Sequence, residues 1–383
     1  MSYTRTSKSI LILLFLVLSG FVIETNSHWN GVRTFALTDK SRIDSYYGEK
    51  EYRELNVTVW YPAEACIGKQ CDYTFLIPDL EKALPRLSGV SQETIEKLRK
   101  CKTHFRAGLT ISKEREKHPV LLLSPSLGGH TAFHASLAKA LVEVGYVVVG
   151  VNHKFESWYI INREGRVVPE NHRFHDELKE LRIPEDITAD GYREKRGKRL
   201  RILGEDLIFV LNKLGELNES EFDGRLELSS VGAFGHSVGG AAAMEAANLD
   251  KRIAAAINFD GTPSGQVLRE GIKQPFMMIE DKKDLTQRGN KIQFDRRQEL
   301  CEKVGGDCCR VVIPGADHNS FSEFGILMET DYGKKKQAVE ILETTRRFVK
   351  VFFDKYLRGQ EDTSLESIGR LKTEVQVIVN KKR

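Results

Sequence analysis

Short apolar runs alternate with stretches of helical periodicity along most of the chain. Leu55-Asn56-Val57-Thr58-Val59 alternates with period two, which predicts a half-buried strand. Residues 120–124 and 146–151 are continuous apolar runs of the kind found in strands covered on both faces. Between them, residues 134–144 repeat apolar positions at helical spacing, and Leu203, Leu207, Val210, Leu211 and Leu214 mark a second helix. Further strands are predicted at 230–234, 253–259, 275–279 and 310–313. A long amphipathic helix at about 335–357 carries Leu342, Val349, Phe352, Phe353 and Leu357. Strands alternating with helices imply an α/β fold: a doubly wound, mostly parallel sheet with helices on both faces. Sites in such folds lie beyond the carboxyl ends of the strands.

Two polar, charged segments interrupt this order, at about 66–117 and 153–199, and the second carries Phe155, Trp158 and Tyr159. Both are expected as insertions in a single domain spanning 28–383, either covering a site or lying on the surface. The first 27 residues stand apart. Arg5 and Lys8 precede an apolar run, 10–23, and the polar Glu24-Thr25-Asn26-Ser27 follows, the pattern of a secretory signal peptide. The run is shorter than the roughly 20 residues a membrane span needs. No small-x-small cleavage site is visible, so a signal anchor stands as the alternative.

Export, to an extracellular or periplasmic compartment, agrees with the even number of cysteines: Cys66, Cys71, Cys101, Cys301, Cys308 and Cys309. Cys66 with Cys71, and Cys301 with either Cys308 or Cys309, are local candidates for disulfides. Buried free thiols are the bland alternative. The chain is 40% hydrophobic and 29% charged, ordinary for a globular protein with a sizeable core. A net charge of only +4, with basic residues scattered among acids, gives no surface for nucleic acid. No metal or cofactor is expected. There is no Cys-x-x-Cys pair, no histidine at ligand spacing and no calcium loop.

The chemistry concentrates in Gly235-His236-Ser237-Val238-Gly239. A Gly-x-Ser-x-Gly string alone is weak evidence, but this one follows an apolar strand and opens a small-residue helix, Gly239 to Ala243. That is the strand–turn–helix context in which a serine stands exposed above the sheet as a nucleophile. Its hydroxyl needs a base. His318, in Gly315-Ala316-Asp317-His318-Asn319 after the strand at 310–313, suits a chain order of Ser, acid, His. Asp260, which ends the strand at 253–259, and Asp284 are near equals as the acid, with Asp281 and Asp317 also placed to serve. The backbone N–H of Val238 is an expected oxyanion donor, and the second is expected from Ser126-Leu127-Gly128-Gly129 after an early strand.

At these motifs the chain resembles the platelet-activating factor acetylhydrolase family of plasma and intracellular type II enzymes, which are α/β-hydrolases and calcium-independent phospholipases A2. The matching stretches include Val59-Trp60-Tyr61-Pro62-Ala63, 124–129, Gly145-Tyr146-Val147-Val148, 235–240, Asn258-Phe259-Asp260-Gly261, 314–318 and Tyr356-Leu357-Arg358-Gly359. The resemblance spans almost all of the chain after residue 30. It implies Ser237 as nucleophile, Asp260 as acid, His318 as base, and the backbone N–H groups of Leu127 and Val238 as oxyanion donors. The Ser237-to-Asp260 spacing is similar to the family's and moves Asp260 ahead of Asp284. It also implies a small-molecule or phospholipid ester as substrate, with transient contact to a lipid surface, although no basic amphipathic face marks where.

Two positions depart from the family's pattern: Pro125-Ser126 where His-Gly is common, and Asn152 where an acidic residue is common. The implied activity is hydrolysis of short or oxidised acyl esters, with the sn-2 acetyl of platelet-activating factor-like phospholipids foremost. A general carboxylesterase or a cutinase-type polyester hydrolase is the alternative on the same fold. A non-catalytic binding protein is the alternative from another class.

Overall fold

The computed structural model describes residues 29–44, 51–64, 69–83, 91–171, 176, 190–282, 286, 288–303, 305–361, 364–371 and 375–380. The signal sequence expected at 1–27, Cys66 and Asp284 lie outside these residues. The strands of the main sheet are β1 Trp29–Ile43, β2 Tyr52–Ala63, β3 Lys69–Asp72, β4 Lys102–Ala107, β5 His118–Ser124 and β6 Val147–His153. They continue, after a small hairpin of β7 Tyr159–Ile161 and β8 Val167–Pro169, with β9 Leu226–His236, β10 Ile253–Phe259, β11 Phe276–Asp281, β12 Cys308–Ile313 and β13 Gln376–Asn380. The sheet has 11 strands in the order β13-β12-β11-β10-β9-β5-β6-β2-β1-β4-β3. The run β6, β5, β9, β10, β11, β12 is parallel, while β2 and β13 flank it antiparallel.

Period-two alternation divides the core. In β5, Leu121 and Leu123 face one side with Phe234, Phe352 and Phe353, while Val120 and Leu122 face the other with Leu207, Val210 and Met244. The main helices covering these faces are α1 Ala135–Val142, α2 Asp190–Glu221, α3 Val238–Leu249, α4 Arg288–Lys303 and α5 Tyr332–Arg358. α1 and α5 pack on the first face, and α2, α3 and α4 on the second. α5 starts where the Asp331 side chain accepts the Lys334 N–H at 2.8 Å, and ends at Gly359 in the left-handed region with φ 65°.

All seven strands predicted from the pattern are present, mostly longer than expected. β1, β3, β4 and β13 have no counterpart in the pattern reading: in β1 the polar Lys40, Ser41 and Arg42 break the alternation, and β3, β4 and β13 are short with few apolar residues to mark them. α2 begins at Asp190, inside the segment read as an interruption, since its first turns, Arg193-Glu194-Lys195-Arg196, carry no apolar stripe. A disulfide joins Cys301 at the end of α4 to Cys308 at the start of β12, with Cα atoms 5.3 Å apart, and Cys309 stays a buried thiol. Among the described residues no helix is long and apolar enough to cross a membrane.

Phe353 is fully buried beneath β9 and touches Phe234 and Phe352 rings. Phe353→Ala is expected to lower the unfolding free energy by about 3–5 kcal/mol, read from the urea midpoint. A loss under about 1 kcal/mol would contradict a tightly packed α5–sheet interface.

Candidate active site

The sheet delivers its chemistry through one sharp crossing. β9 ends at His236, and α3 starts at Val238. Ser237 between them is held at φ 56°, ψ −120°, a region that non-glycine residues rarely occupy. The Ser237 N–H is tied to the Phe259 carbonyl at 2.8 Å. The crossing explains the glycines on either side. A Cβ on Gly239 would lie 2.3 Å from the carbonyl oxygens of Ser124 and Pro125, and one on Gly235 would lie 2.5 Å from the Gly239 carbonyl carbon and the Ser124 oxygen. Backbone thus packs on backbone, and the serine is lifted above the carboxyl edge of the sheet.

The Ser237 Oγ lies 3.0 Å from His318 Nε2, and His318 Nδ1 lies 2.6 Å from Asp260 Oδ2. A carboxylate only accepts, so Nδ1 carries the hydrogen and Nε2 of the neutral ring accepts from the serine hydroxyl. His318 opens a short helical turn, His318–Phe321, and its side chain is 47% exposed, whereas Asp260 is buried. Asp260 sits at φ 49°, a conformation Asp tolerates, with its N–H on the Ile279 carbonyl at 2.8 Å.

Its other oxygen, Oδ1, faces Arg297 Nη2 at 3.1 Å. Arg297, on α4, also bonds Glu280 at 2.5 Å, and Glu280 in turn accepts from Arg310 Nε at 2.7 Å. Burial works against the Arg297 charge, but the Glu280 and Asp260 carboxylates outweigh it and hold the guanidinium firmly protonated. This buried network behind Asp260 was not read from the sequence, and no signal pointed to it. Arg297, Glu280 and Arg310 lie on separate elements and share no motif.

The other candidate acids, and the buried histidines, have distinct places. Asp317 caps the His318 turn, accepting the Asn319 N–H and the Ser320 hydroxyl, both at 2.9 Å. Asp281 ends β11. His236 donates from Nε2 to the His318 carbonyl oxygen at 2.6 Å, latching the turn that carries His318 to the elbow. His153 is sealed in the interior, and His130 and His134 are buried beside α1.

Leu127 follows β5 in a tight turn, closed by the Gly129 N–H on the Ser126 carbonyl at 2.9 Å, with Gly128 at φ 68°. A positive φ at the third position is what a type II turn asks of glycine. Pro125-Ser126 therefore enters a turn whose glycine requirement falls on Gly128. Among the described residues, neither the Leu127 N–H nor the Val238 N–H has a hydrogen-bond partner. Asn152 is buried, with its side chain bonded to Thr131 N and Oγ1 at 2.9 and 3.0 Å. Trp158, whose N–H bonds the Gly129 carbonyl at 2.8 Å, forms with Phe133 and Phe324 an aromatic group between the 126–129 turn and the His318 turn.

A serine, histidine and aspartate chain at the carboxyl edge of a mostly parallel sheet with helices on both faces defines a protein of the α/β-hydrolase fold. The chain belongs to the family described as platelet-activating factor acetylhydrolase, isoform II, which it matches over residues 43–344. A probable 1-alkyl-2-acetylglycerophosphocholine esterase of Arthroderma benhamiae is 24% identical, the match covering 55% of this chain and 50% of the relative. The platelet-activating factor acetylhydrolase of Cavia porcellus is 25% identical, over 55% of this chain and 50% of that protein. The chain spans about half the length of the curated relatives it matches. Among solved structures, a ferulic acid esterase from Streptomyces cinnamoneus superposes with a TM-score of 0.71 at 25% identity, covering 91% of this chain and 96% of the other.

Burial, joined by neighbouring positive histidine charge, holds His236 down at a pKa of about 4, and burial holds His130 and His134 at about 3. These rings stay uncharged in the fold, so the unfolded chain takes up protons that the folded chain refuses below about pH 6.5. Their contribution to stability is complete above that pH and is lost as pH falls toward the folded values. Each ring accounts for at most about 1.4 kcal/mol per pH unit. Urea midpoints are expected to drop steadily between about pH 6.5 and 4.5, and a midpoint that holds level or rises there would contradict this assignment.

Proposed function

We propose that the chain is a serine esterase in which Ser237 is the nucleophile, His318 the base and Asp260 the acid. The observation that carries this reading is the hydrogen-bonded line from Ser237 Oγ through both nitrogens of His318 to Asp260, with the serine in a strained turn and the histidine accessible. Ser237 Oγ attacks the ester carbonyl while its proton passes to His318 Nε2. The carbonyl oxygen becomes an oxyanion that the Leu127 and Val238 N–H groups stabilise. His318 then returns the proton to the departing alcohol, leaving an acyl-serine. Water, deprotonated by the same nitrogen, attacks that acyl group and releases the acid. Asp260, fixed on its far side by Arg297, supports the imidazolium through both steps.

The substrate in this reading is a short or oxidised acyl ester, foremost the sn-2 acetyl of a platelet-activating factor-like phospholipid, in line with the family and with the names of the two relatives. The aromatic group of Phe133, Trp158 and Phe324, tied to the 126–129 turn by the Trp158 backbone N–H, offers an apolar surface at the proposed oxyanion turn. A second reading, a carboxylesterase acting on simpler esters, is favoured by the structural likeness to the ferulic acid esterase. Export of the chain is proposed from its basic, apolar and polar N-terminal pattern, and the Cys301–Cys308 disulfide suits an oxidising compartment.

A series of acetyl phospholipid, long-chain phospholipid, feruloyl ester, p-nitrophenyl esters and polyester film on the purified protein decides among these. The proposal expects fastest turnover of acetyl phospholipid; slow acetyl phospholipid with fast feruloyl or p-nitrophenyl turnover favours the second reading. Asp260→Asn is expected to lower kcat about 10⁴-fold, because the ring then loses its correct tautomer. A near-normal kcat for that variant assigns the acid elsewhere.

A further inference from the structure

A second serine, histidine and aspartate line runs through the interior. Ser124 Oγ lies 2.9 Å from His153 Nε2, and His153 Nδ1 lies 2.8 Å from Asp206 Oδ2. The three are 0%, 1% and 0% exposed, so no ester can reach them and they form no second hydrolytic site. Asp206 also receives Arg53 at 2.7 Å and Arg42 at 2.8 Å. Burial alone would raise the Asp206 carboxyl. Arg53, His153 and Arg42 overcome it and keep the group well below the usual carboxylate range. As a carboxylate it only accepts, so Nδ1 of His153 donates to it. Burial keeps the His153 ring neutral, so Nε2 accepts the Ser124 hydroxyl hydrogen.

The ends of this line meet the catalytic edge. Ser124 is the last residue of β5, pairs with Gly235 of the elbow strand, and its carbonyl is one of the two carbonyls against which Gly239 packs. Three residues on is Leu127. The other limb of the oxyanion turn is held by the segment that begins at His153. The Gly128 N–H bonds the Glu156 carbonyl at 2.7 Å, and the Trp158 N–H bonds the Gly129 carbonyl at 2.8 Å. That segment is in turn fixed by Ser157 Oγ on the His153 N–H at 2.8 Å, by Arg53 on Glu156 at 2.7 Å and on the Lys154 carbonyl at 2.7 Å. Both flanks of Leu127 thus converge on His153, and Pro125, having no N–H of its own, cannot donate a backbone hydrogen bond.

We propose that His153 is a positioning residue whose hydrogen bond to Ser124 sets the spacing between the Leu127 and Val238 N–H donors. The inference rests on the esterase reading above. The interior trio then acts only on the oxyanion, which forms in the transition state, and leaves ground-state substrate binding alone.

Ser124→Ala and His153→Asn both remove the Ser124–His153 contact, and His153→Asn keeps an amide near the place of Nδ1 to donate to Asp206. Each is expected to lower kcat for an acetyl ester about 10- to 100-fold, less than outright deletion of an oxyanion donor, with KM within twofold. Binding of an acyl trifluoromethyl ketone, whose adduct carries the oxyanion, is expected to weaken by the same factor, while a non-reactive ether analogue binds unchanged. The double variant is expected to match the single ones, since all break one contact. Where Ser124→Ala does not fold, Ser124→Cys, with a weaker donor in similar volume, carries the same comparison. Ketone affinity and kcat within twofold of wild type overturn the inference, as does a loss shared equally by ketone and ether. A wild-type protein that neither cleaves acetyl esters nor binds the ketone overturns the esterase reading as well.

Discussion

The elbow crossing is the contact on which the rest of the site depends. Where β9 passes into α3, the backbones of Gly235 and Gly239 lie against the end of β5 so closely that one methyl group at Gly239 would overlap the Ser124 and Pro125 carbonyl oxygens. Steric exclusion of this kind is stiffer than any hydrogen bond. It compels Ser237 into positive φ, aims its hydroxyl away from the sheet, and brings the first N–H of α3 beside the turn at Leu127. β10 and β12 then place Asp260 and the His318 turn along the same edge, and the His236 latch ties that turn back to the elbow.

Around this steric core the fold stations two buried charge networks, one behind each half of the site. Arg297, Glu280 and Arg310 stand behind Asp260, while Arg53, Asp206 and Glu156 stand behind the segment that braces the turn at Leu127. Buried ion pairs contribute little net stability against apolar replacements, but removing one partner leaves an uncompensated charge. Their value here is orientation. A carboxylate held on one oxygen by a guanidinium has a single remaining direction in which to face its histidine, as Asp260 does with Arg297 on Oδ1 and His318 on Oδ2, whereas Asp206 takes Arg42 on Oδ1 and shares Oδ2 between Arg53 and His153.

The sequence made legible what depends on local pattern. Central strands buried on both faces read as apolar runs, α5 read as an amphipathic stripe, and the glycines about Ser237 read as a turn. Strands outside the parallel run, such as β1, were hidden because polar residues interrupt their alternation. The polar start of α2 hid its first turns. Ser237, His318 and Asp260, which the fold brings into one hydrogen-bonded line, each sit in a motif at a strand end, although pattern alone leaves Asp260 level with Asp284. Arg297 and the Ser124–His153–Asp206 line were not legible. Their partners lie far apart in the chain and meet only through tertiary packing, for which a single sequence carries no signal. Ser124 lies in the stretch 124–129 that matches the family, but nothing in that stretch marks its bond to His153.

The central claim is that Ser237 is an activated nucleophile. Reaction of the purified protein with a fluorophosphonate, followed by peptide mass spectrometry, tests it most directly. The account predicts one adduct per chain on Ser237, and none on the Ser237→Ala protein. An adduct on any other residue, or labelling that survives Ser237→Ala, would contradict it.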